Sequence, residues 1–246
     1  LLASYALAVA LIFDAISDPL VGAWSDRFKS VWGRRHPFIY FAIIPFGISA
    51  YYLYSVPLDT SQTTLFIKLL VTSILVRTFF TLYETPRAAI GPELIKDYER
   101  RNTLSGYGML YGNMGLGIMT YAMLAFFLIE TEEFTGSKAF LNPDAYPKLG
   151  ILAFFLIIIF GLVSSLSTHK YIPQMIEPKR NNFNFKNFFN EILESLSNRN
   201  WLVLFAAGTI LALNIGIFSS LDYYFNIYFW QWTPETISLF PIIIGI

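Results

Sequence analysis

The sequence contains no cysteine, and it carries few charged residues for a chain of its length. The absence of cysteine excludes disulfide bonds and metal sites built on thiolates. Charged residues make up 14% of the 246 positions, whereas a soluble domain carries about 25%. The 17 basic and 17 acidic residues cancel, so the chain lacks the basic surplus of a nucleic-acid-binding protein.

Histidine is also rare. The two histidines, His36 and His169, fall in polar stretches between apolar runs. Zinc sites need several clustered Cys and His ligands. We therefore expect no cofactor and no resident metal. An intramembrane enzyme would need a nucleophile, a metal cluster or a base such as His beside its acids, so we do not expect an enzyme.

The sequence is rich in long apolar runs, and 55% of its residues are hydrophobic. A bilayer core of about 30 Å requires about 20 mostly apolar residues per helix. Six runs reach that length, and a seventh begins near the C-terminus. They span residues 2–24, 37–56, 65–89, 104–129, 149–167 and 201–230. The sequence therefore predicts an all-α, multi-pass integral membrane protein.

The loops between these runs alternate in charge. Lys and Arg cluster in the first, third and fifth loops, whereas the second and sixth have none and the fourth has two lysines among four acids. Basic loops stay on the cytoplasmic side of a membrane. We therefore assign these three loops to the cytoplasm and expect location in an inner (plasma) membrane.

The fifth loop, residues 169–200, is the longest. Apolar residues recur in it at helical spacing from Phe185 to Leu196, which predicts an amphipathic helix on the inner membrane surface. We interpret this loop as a linker between a bundle at 1–168 and the start of a second bundle at 201–246. Both chain ends lie inside apolar runs, so we expect a piece of a longer protein.

Two carboxylates stand inside the first run. Asp14 and Asp18 are one helical turn apart and face the same side. An acid at bilayer depth is costly and indicates function, and two such acids repel each other unless a cation or a proton lies between them. Ser17 adds an oxygen of the kind that hard cations prefer. The pair predicts a site for Na⁺ or H⁺; the alternative is a helix cap or a salt bridge to Arg77.

A second polar stripe lies in the third run. Arg77, Thr81 and Glu84 follow each other at spacings of four and three residues, which places them on one helix face. The stripe predicts a cavity wall that binds a polar solute. The alternative is a buried ion pair that holds helices together.

Asp222 is the acid of the last full run. It shares a helix face with Asn214 and Asn226, so it is predicted to line the opposite wall of the same cavity. The alternative is the interfacial end of a helix, where Asp and Tyr are common.

The first hairpin carries specific motifs. Asp14-Ala15-Ile16-Ser17-Asp18-Pro19 leads through Gly22 into Gly33-Arg34-Arg35-His36-Pro37, and Thr81-Leu82-Tyr83-Glu84-Thr85-Pro86 follows in the third run. These motifs resemble those of the glycoside–pentoside–hexuronide:cation symporters, the melibiose permease group of the major facilitator superfamily. Two family positions differ, because Met109 replaces an arginine and Ala88 replaces an aromatic residue.

The resemblance implies roles for individual residues. It places the chain as helices two to seven and the start of eight in a twelve-helix major facilitator fold, so the first bundle lacks its first helix. It makes Asp14, Ser17, Asp18 and Thr81 cation-site candidates and Glu84 a substrate-site candidate. It also implies a cytoplasmic gate formed by Asp26, Arg27, Arg34, Arg35, Glu93, Asp97, Arg100 and Arg101, whose exposed ion pairs would each be weak.

The predicted function is secondary active transport. The expected partners are a small solute, a coupling cation (Na⁺ or H⁺) and the lipid bilayer, and we expect the full-length protein to be monomeric. A sugar or glycoside is the solute that the resemblance implies, carried by alternating access. A lysolipid or other amphiphile is an alternative solute, and a non-transporting sensor or scaffold is an alternative function.

Overall fold

The computed structural model describes residues 2–55, 60–175, 190, 193–194 and 196–240, and these residues form helices and loops without a strand. The α-helices are α1 (Leu2–Arg27), α2 (His36–Tyr54), α3 (Gln62–Leu94), α4 (Tyr98–Ala122), α5 (Ala145–His169), α6 (Arg199–Tyr224) and α7 (Pro234–Ser238). Short π-helical turns extend α4 at Met123–Phe127 and α6 at Phe225–Phe229.

Among the described residues, six helices are long and apolar enough to cross a membrane. They coincide with the six predicted runs to within a few residues, and the longest, α3, spans 33 residues. At about 1.5 Å of rise per residue, α3 is longer than a bilayer core of about 30 Å. The protein is therefore a multi-pass, all-α membrane protein, as the sequence predicts.

Side-chain caps mark the starts of α3 and α6. The Ser61 hydroxyl accepts a hydrogen bond from the Thr64 amide at 3.2 Å at the start of α3. Asn198 accepts bonds from the Asn200 and Trp201 amides at 3.0 and 3.3 Å at the start of α6. These caps satisfy amides that have no partner within the helix.

The first compact unit comprises Leu1–Met114 and Pro143–Asn181. In it α2 packs against both α3 and α5, and α1 packs against α3. Ile39 and Ile43 of α2 meet Ile90 of α3 in the buried centre. This arrangement brings the polar face of α1 onto the polar stripe of α3.

Glycines allow α2 and α5 to approach closely. A side chain at Gly150 would lie 3.0 Å from the Tyr54 Cβ and 3.1 Å from the Tyr51 carbonyl oxygen. At Gly161, a Cβ would lie 3.1 Å from Ile43. Both contacts are tighter than ordinary packing, so the helix–helix distance depends on these two residues.

The two histidines are not loop residues, which corrects the sequence interpretation. His36 is the first residue of α2 and is fully buried, and His169 is the last residue of α5. The His36 Nε2 lies 3.1 Å from the Thr168 hydroxyl, and the Tyr40 hydroxyl lies 3.0 Å from the His169 Nδ1. The histidines therefore join α2 to α5, and the polar sequence around them reflects helix ends.

The second compact unit comprises Gly115–Asn142 and Asn182–Ile246. Helix α7 packs against the π-helical turn that ends α4 and against a 3-10 helix at Gly136–Leu141, which also contacts the turn that ends α6. Leu124, Phe140 and Ile227 are buried in these contacts.

Several predicted segments lie outside the described residues. They include most of the predicted amphipathic helix and residues 241–246 of the predicted seventh run. The division into 1–168, 169–200 and 201–246 stays a prediction.

Replacing Gly150 by leucine should destabilise the full-length protein. The new side chain would overlap Tyr51 and Tyr54, and overpacking of this kind costs about 1–3 kcal/mol. Thermal unfolding in detergent measures the effect. The neighbouring Ile151 is half exposed, so Ile151→Leu serves as the control, and equal melting temperatures for the two variants would contradict the proposed packing.

Candidate functional site: an acid pair on α1 facing α3

The acid pair predicted on α1 faces a single hydroxyl on α3. The Thr81 Oγ1 lies 2.7 Å from the Asp18 Oδ1 and 3.1 Å from the Asp14 Oδ1. Thr81 is 1% exposed, so this contact is formed where the two helices pack. A hydroxyl carries one hydrogen, so Thr81 can donate fully to only one of the two acids at a time.

Arg77 approaches the same acids from the turn of α3 before Thr81. Its Nη1 donates to the Asp14 Oδ2 at 2.7 Å, with side-chain exposures of 39% for Arg77 and 16% for Asp14. The sequence analysis grouped Arg77 with the solute wall and named its salt bridge to the acids as the alternative. The structure contains that salt bridge.

Asp18 differs from Asp14 in its partners. Its carboxylate contacts the Thr81 hydroxyl, and no cationic side chain pairs with it in the part of the chain that the structure describes. Two carboxylates and one guanidinium leave one formal negative charge uncompensated in this cluster. The cluster can therefore accept one monovalent cation without acquiring a net positive charge.

Ser17 turns toward its own helix. Its hydroxyl donates to the Asp14 backbone carbonyl oxygen at 3.2 Å. Its oxygen retains lone pairs, because a hydroxyl that donates one bond can still accept two. Ser17 thus lies beside the acid pair without bonding to either carboxylate.

Glu84 lies one turn beyond Thr81 on α3 and pairs with Arg87. The Arg87 Nε and Nη2 donate to the two Glu84 carboxylate oxygens at 2.7 and 2.6 Å. Both side chains are partly exposed, at 32% for Glu84 and 43% for Arg87. The sequence analysis did not name Arg87, although its spacing of three residues from Glu84 within the run 65–89 would have revealed the pair.

Asp222 lies on α6 in the second unit. It is exposed, and its Oδ2 accepts a hydrogen bond from the Asn226 amide at 3.1 Å. Asp222 and Asn214 line one cavity, which agrees with the predicted shared face.

Four of the eight predicted gate residues form one cluster. The Arg34 Nη2 donates to Glu93 at 2.8 Å, Arg35 donates to the same Glu93 oxygen, and the Arg35 Nη2 donates to Asp26 at 2.9 Å. Arg35 also donates to the Ala89 carbonyl oxygen at 2.7 Å. The cluster ties the α1–α2 hairpin to the last turn of α3.

The expectation of weak, exposed pairs is wrong for this cluster. The side chains of Glu93, Arg35 and Arg34 are only 3%, 7% and 10% exposed, because Glu93 belongs to α3 and not to a loop. Asp26, at 51% exposure, is the solvent-facing member. Buried ion pairs with good geometry are costly to break by removing one partner.

The other gate candidates have local partners. Asp97 accepts the Arg100 backbone amide at 3.0 Å, and the Arg101 side chain donates to the Pro92 and Ile95 carbonyl oxygens at 2.7 and 2.5 Å. The Arg27 Nη1 donates to the Ala23 carbonyl oxygen at 3.1 Å. Asp97, Arg100 and Arg101 therefore shape the α3–α4 turn. The gating role of the eight residues stays a prediction.

Known proteins are similar in sequence to this chain. A family model described as MFS/sugar transport protein matches residues 1–246. The inner membrane symporter YicJ of Escherichia coli is 33% identical over 116 residues, which cover 47% of this chain and 25% of the relative.

Two further relatives differ in the solute that their names record. The isoprimeverose transporter of Lactiplantibacillus pentosus is 29% identical over 112 residues, covering 46% of this chain and 23% of that protein. The sodium-dependent lysophosphatidylcholine symporter 1 of Xenopus tropicalis is 32% identical over 116 residues, covering 46% and 22%. In each relative the match spans about a quarter of the protein's length.

The family match extends over every residue of the chain. The six membrane-length helices of the described residues and the hairpin motifs are consistent with this family. The resemblance to the glycoside–pentoside–hexuronide:cation symporters is thereby confirmed at the level of the family. The chain belongs to the MFS/sugar transport proteins of the major facilitator superfamily.

Proposed function

We propose that the full-length protein is a secondary active transporter that couples Na⁺ or H⁺ to the uptake of a sugar or glycoside by alternating access. The observation that carries this proposal is the contact of one α3 hydroxyl, Thr81, with both acids of α1. The family and the symporters among its relatives support a transporter rather than an enzyme.

The acid cluster is the proposed cation site. Asp14, Asp18 and Thr81 supply carboxylate and hydroxyl oxygens, which can coordinate Na⁺, and the carboxylates can instead bind a proton. Ser17 is a further candidate ligand beside them. The uncompensated charge of the cluster favours one cation per cycle. The side chain of Arg77 acts here as a fixed positive charge, so we assign it to the cation site and not to the solute wall.

Glu84 and Arg87 form the proposed solute site on the same helix. A sugar hydroxyl both donates and accepts hydrogen bonds, and this pair offers carboxylate acceptors next to guanidinium donors. Thr81 and Glu84 are three residues apart on α3. A cation that orders Thr81 would therefore also order the solute site, and couplings between sites are typically about 1–3 kcal/mol.

The buried arginine cluster gives the inner end of this unit a rigid frame. Arg34, Arg35, Glu93 and Asp26 hold the first hairpin to α3. Rocking of helical bundles about a central site requires each bundle to move as a body. We propose that the cluster preserves this rigidity and contributes the hairpin side of the cytoplasmic gate.

A lysolipid is the second candidate solute. It is favoured by one observation, the 32% identity to a lysophosphatidylcholine symporter. The Glu84–Arg87 pair could bind a zwitterionic headgroup through both of its charges. Uptake assays with a methyl glycoside and with lysophosphatidylcholine separate the two solutes, and failure to transport either would favour a sensor or scaffold.

Removing either acid should abolish cation-dependent uptake. Asp14→Asn and Asp18→Asn each remove a charge from the proposed cation site, so solute uptake by the full-length protein in proteoliposomes should lose its dependence on Na⁺ or on a proton gradient. Cation-dependent uptake retained by both variants would remove the assignment.

The hydroxyl of Thr81 should set the affinity for the cation. Losing a hydrogen bond to a charged group costs about 1.5–3 kcal/mol, so Thr81→Ala should raise the half-saturating cation concentration at least about tenfold. Thr81→Ser should stay near wild type. Thr78 bonds only to the Ile74 carbonyl oxygen in the described structure, so Thr78→Ala is the matched control. Identical cation dependence in Thr81→Ala and Thr78→Ala would contradict the proposed cation site.

Removing the charge of Arg77 should strengthen cation binding. A positive charge about 5 Å from the bound ion opposes binding by about 1–3 kcal/mol at effective dielectric constants of about 80 to 20. Arg77→Gln should therefore lower the half-saturating cation concentration about fivefold or more. Arg77→Lys keeps the charge and should differ little from wild type. Weaker cation binding in Arg77→Gln would show that Arg77 supports the site instead of competing for it.

Glu93→Gln should destabilise the full-length protein strongly. It leaves Arg34 and Arg35 buried beside a neutral group, and breaking a buried pair costs about 3–5 kcal/mol. Thermal unfolding in detergent should show a clear loss of melting temperature. Asp97→Asn lies four residues away on an exposed turn and should change stability by less than about 0.5 kcal/mol. Equal effects of the two substitutions would mean that the arginines do not depend on Glu93.

A further inference from the structure

A buried hydroxyl lies on α3 one turn before Arg77. Ser73 is 6% exposed, and its Oγ has no hydrogen-bond partner among the described residues. Other hydroxyls of the same helix differ from it, because those of Thr72 and Thr78 each donate to the carbonyl oxygen four residues earlier at 2.7 Å. A buried polar group without a partner costs free energy, so the unpaired state of Ser73 requires a physical explanation.

The packing of α1 on α3 places Ser73 beside the acid cluster. Contacts between the two helices repeat at a constant offset of 63 residues. The contacts that show this offset are Arg77 to Asp14, Thr81 to Asp18 and Thr85 to Gly22. The same offset sets Ser73 opposite Ala10, which is 1% exposed. Because alanine has no polar side-chain atom, α1 offers the Ser73 hydroxyl no side-chain partner at this level.

Arg77 can reach Ser73 from the next turn of its own helix. Residues four apart on a helix have Cβ atoms about 5–6 Å apart, and long helical side chains lean toward the N-terminus, over the preceding turn. In the described part of the chain, Arg77 donates through Nη1 to Asp14, and a guanidinium has five N–H donors. The Ser73 oxygen can accept one of them. Rotation of the side chain alone would therefore carry the guanidinium from Asp14 to Ser73.

A cation at the acid pair gives Arg77 a reason to move. The cation and the guanidinium compete for the same Asp14 carboxylate, and two positive charges at such a short distance repel each other. Arginine cannot yield by losing its proton, because it stays charged in proteins. The displaced guanidinium needs an acceptor, since an unpaired charge within a membrane protein is costly. Ser73 lies one turn away, about 6 Å along α3, and supplies that acceptor.

We propose that Ser73 is the acceptor that receives Arg77 when a cation binds between Asp14 and Asp18. Without the cation, Arg77 pairs with Asp14 and substitutes for the positive charge; with the cation, Arg77 bonds to Ser73. Ser73 is therefore a positioning residue, which acts on cation affinity through Arg77 and does not touch the ion. The inference rests on the proposed function, because it presupposes that the acid pair binds the coupling cation.

The test measures cation affinity in the full-length protein in detergent. A cation that binds only the folded protein raises its melting temperature, so titrations with Na⁺ at fixed pH, and with pH in the absence of Na⁺, give half-saturating concentrations. Asp14→Asn provides the baseline for both titrations. Ser73→Ala should raise the half-saturating concentration about fivefold, because the displaced guanidinium loses its acceptor. Ser73→Thr restores a hydroxyl and should stay within about twofold of wild type.

Arg77→Met decides whether Ser73 acts through Arg77. Because this variant has no guanidinium to receive, adding Ser73→Ala to it should change the half-saturating concentration by less than about twofold. An equal effect of Ser73→Ala in both backgrounds would overturn the inference, since Ser73 would then contact the cation itself or act through packing alone. Thr72→Val is the matched control, because Thr72 is similarly buried and its hydroxyl bonds only within α3 in the described structure.

Failure of the inference and failure of the proposed function give different results. The role of Ser73 alone would be overturned if the wild type responds to Na⁺ or pH beyond the Asp14→Asn baseline while Ser73→Ala and Thr72→Val have the same half-saturating concentration. A wild-type protein whose melting temperature follows the Asp14→Asn baseline in both titrations would overturn the cation site, the proposed coupling and the inference together.

Discussion

A single buried hydroxyl connects the two helices on which the proposed transport chemistry depends. Thr81 of α3 contacts both Asp14 and Asp18 of α1, and Arg77 holds the first of these acids from the same side. Because acids in a membrane protein are costly unless they are paired, the packing of α1 on α3 and the charge balance of the cluster depend on each other. A bound cation would act directly on that helix–helix contact.

The first unit contains two charged clusters that differ in net charge. At its predicted cytoplasmic end, Arg34, Arg35, Glu93 and Asp26 provide two positive and two negative groups, so the cluster is neutral and largely buried. The cluster of Asp14, Asp18 and Arg77 has one negative charge that no cationic side chain among the described residues compensates. A neutral cluster stabilises one structure, whereas an unbalanced one responds to a diffusible ion. This difference is the physical basis for assigning rigidity to the first and ion binding to the second.

Sequence reasoning located most of these groups but only some of their partners. The turn-apart spacing of Asp14 and Asp18 was enough to predict a shared face, and the alternative bond to Arg77 was recognised as well. Arg87 was not named as the partner of Glu84, and the predicted run ended at residue 89, whereas α3 continues through Pro86 and Pro92 to Leu94.

By itself, the sequence determined six membrane helices, their approximate limits, the family and the acids of the candidate cation site. The helices, their limits and the acids follow from run length and helical spacing, which are local along the chain, whereas the family was inferred from the resemblance of the hairpin motifs. Only the tertiary structure decided that Thr81 bridges the acids, that Glu93 is buried between two arginines, and that His36 meets His169. Those contacts join residues 58 to 133 positions apart, and which side chains meet across such separations is set by how the helices pack.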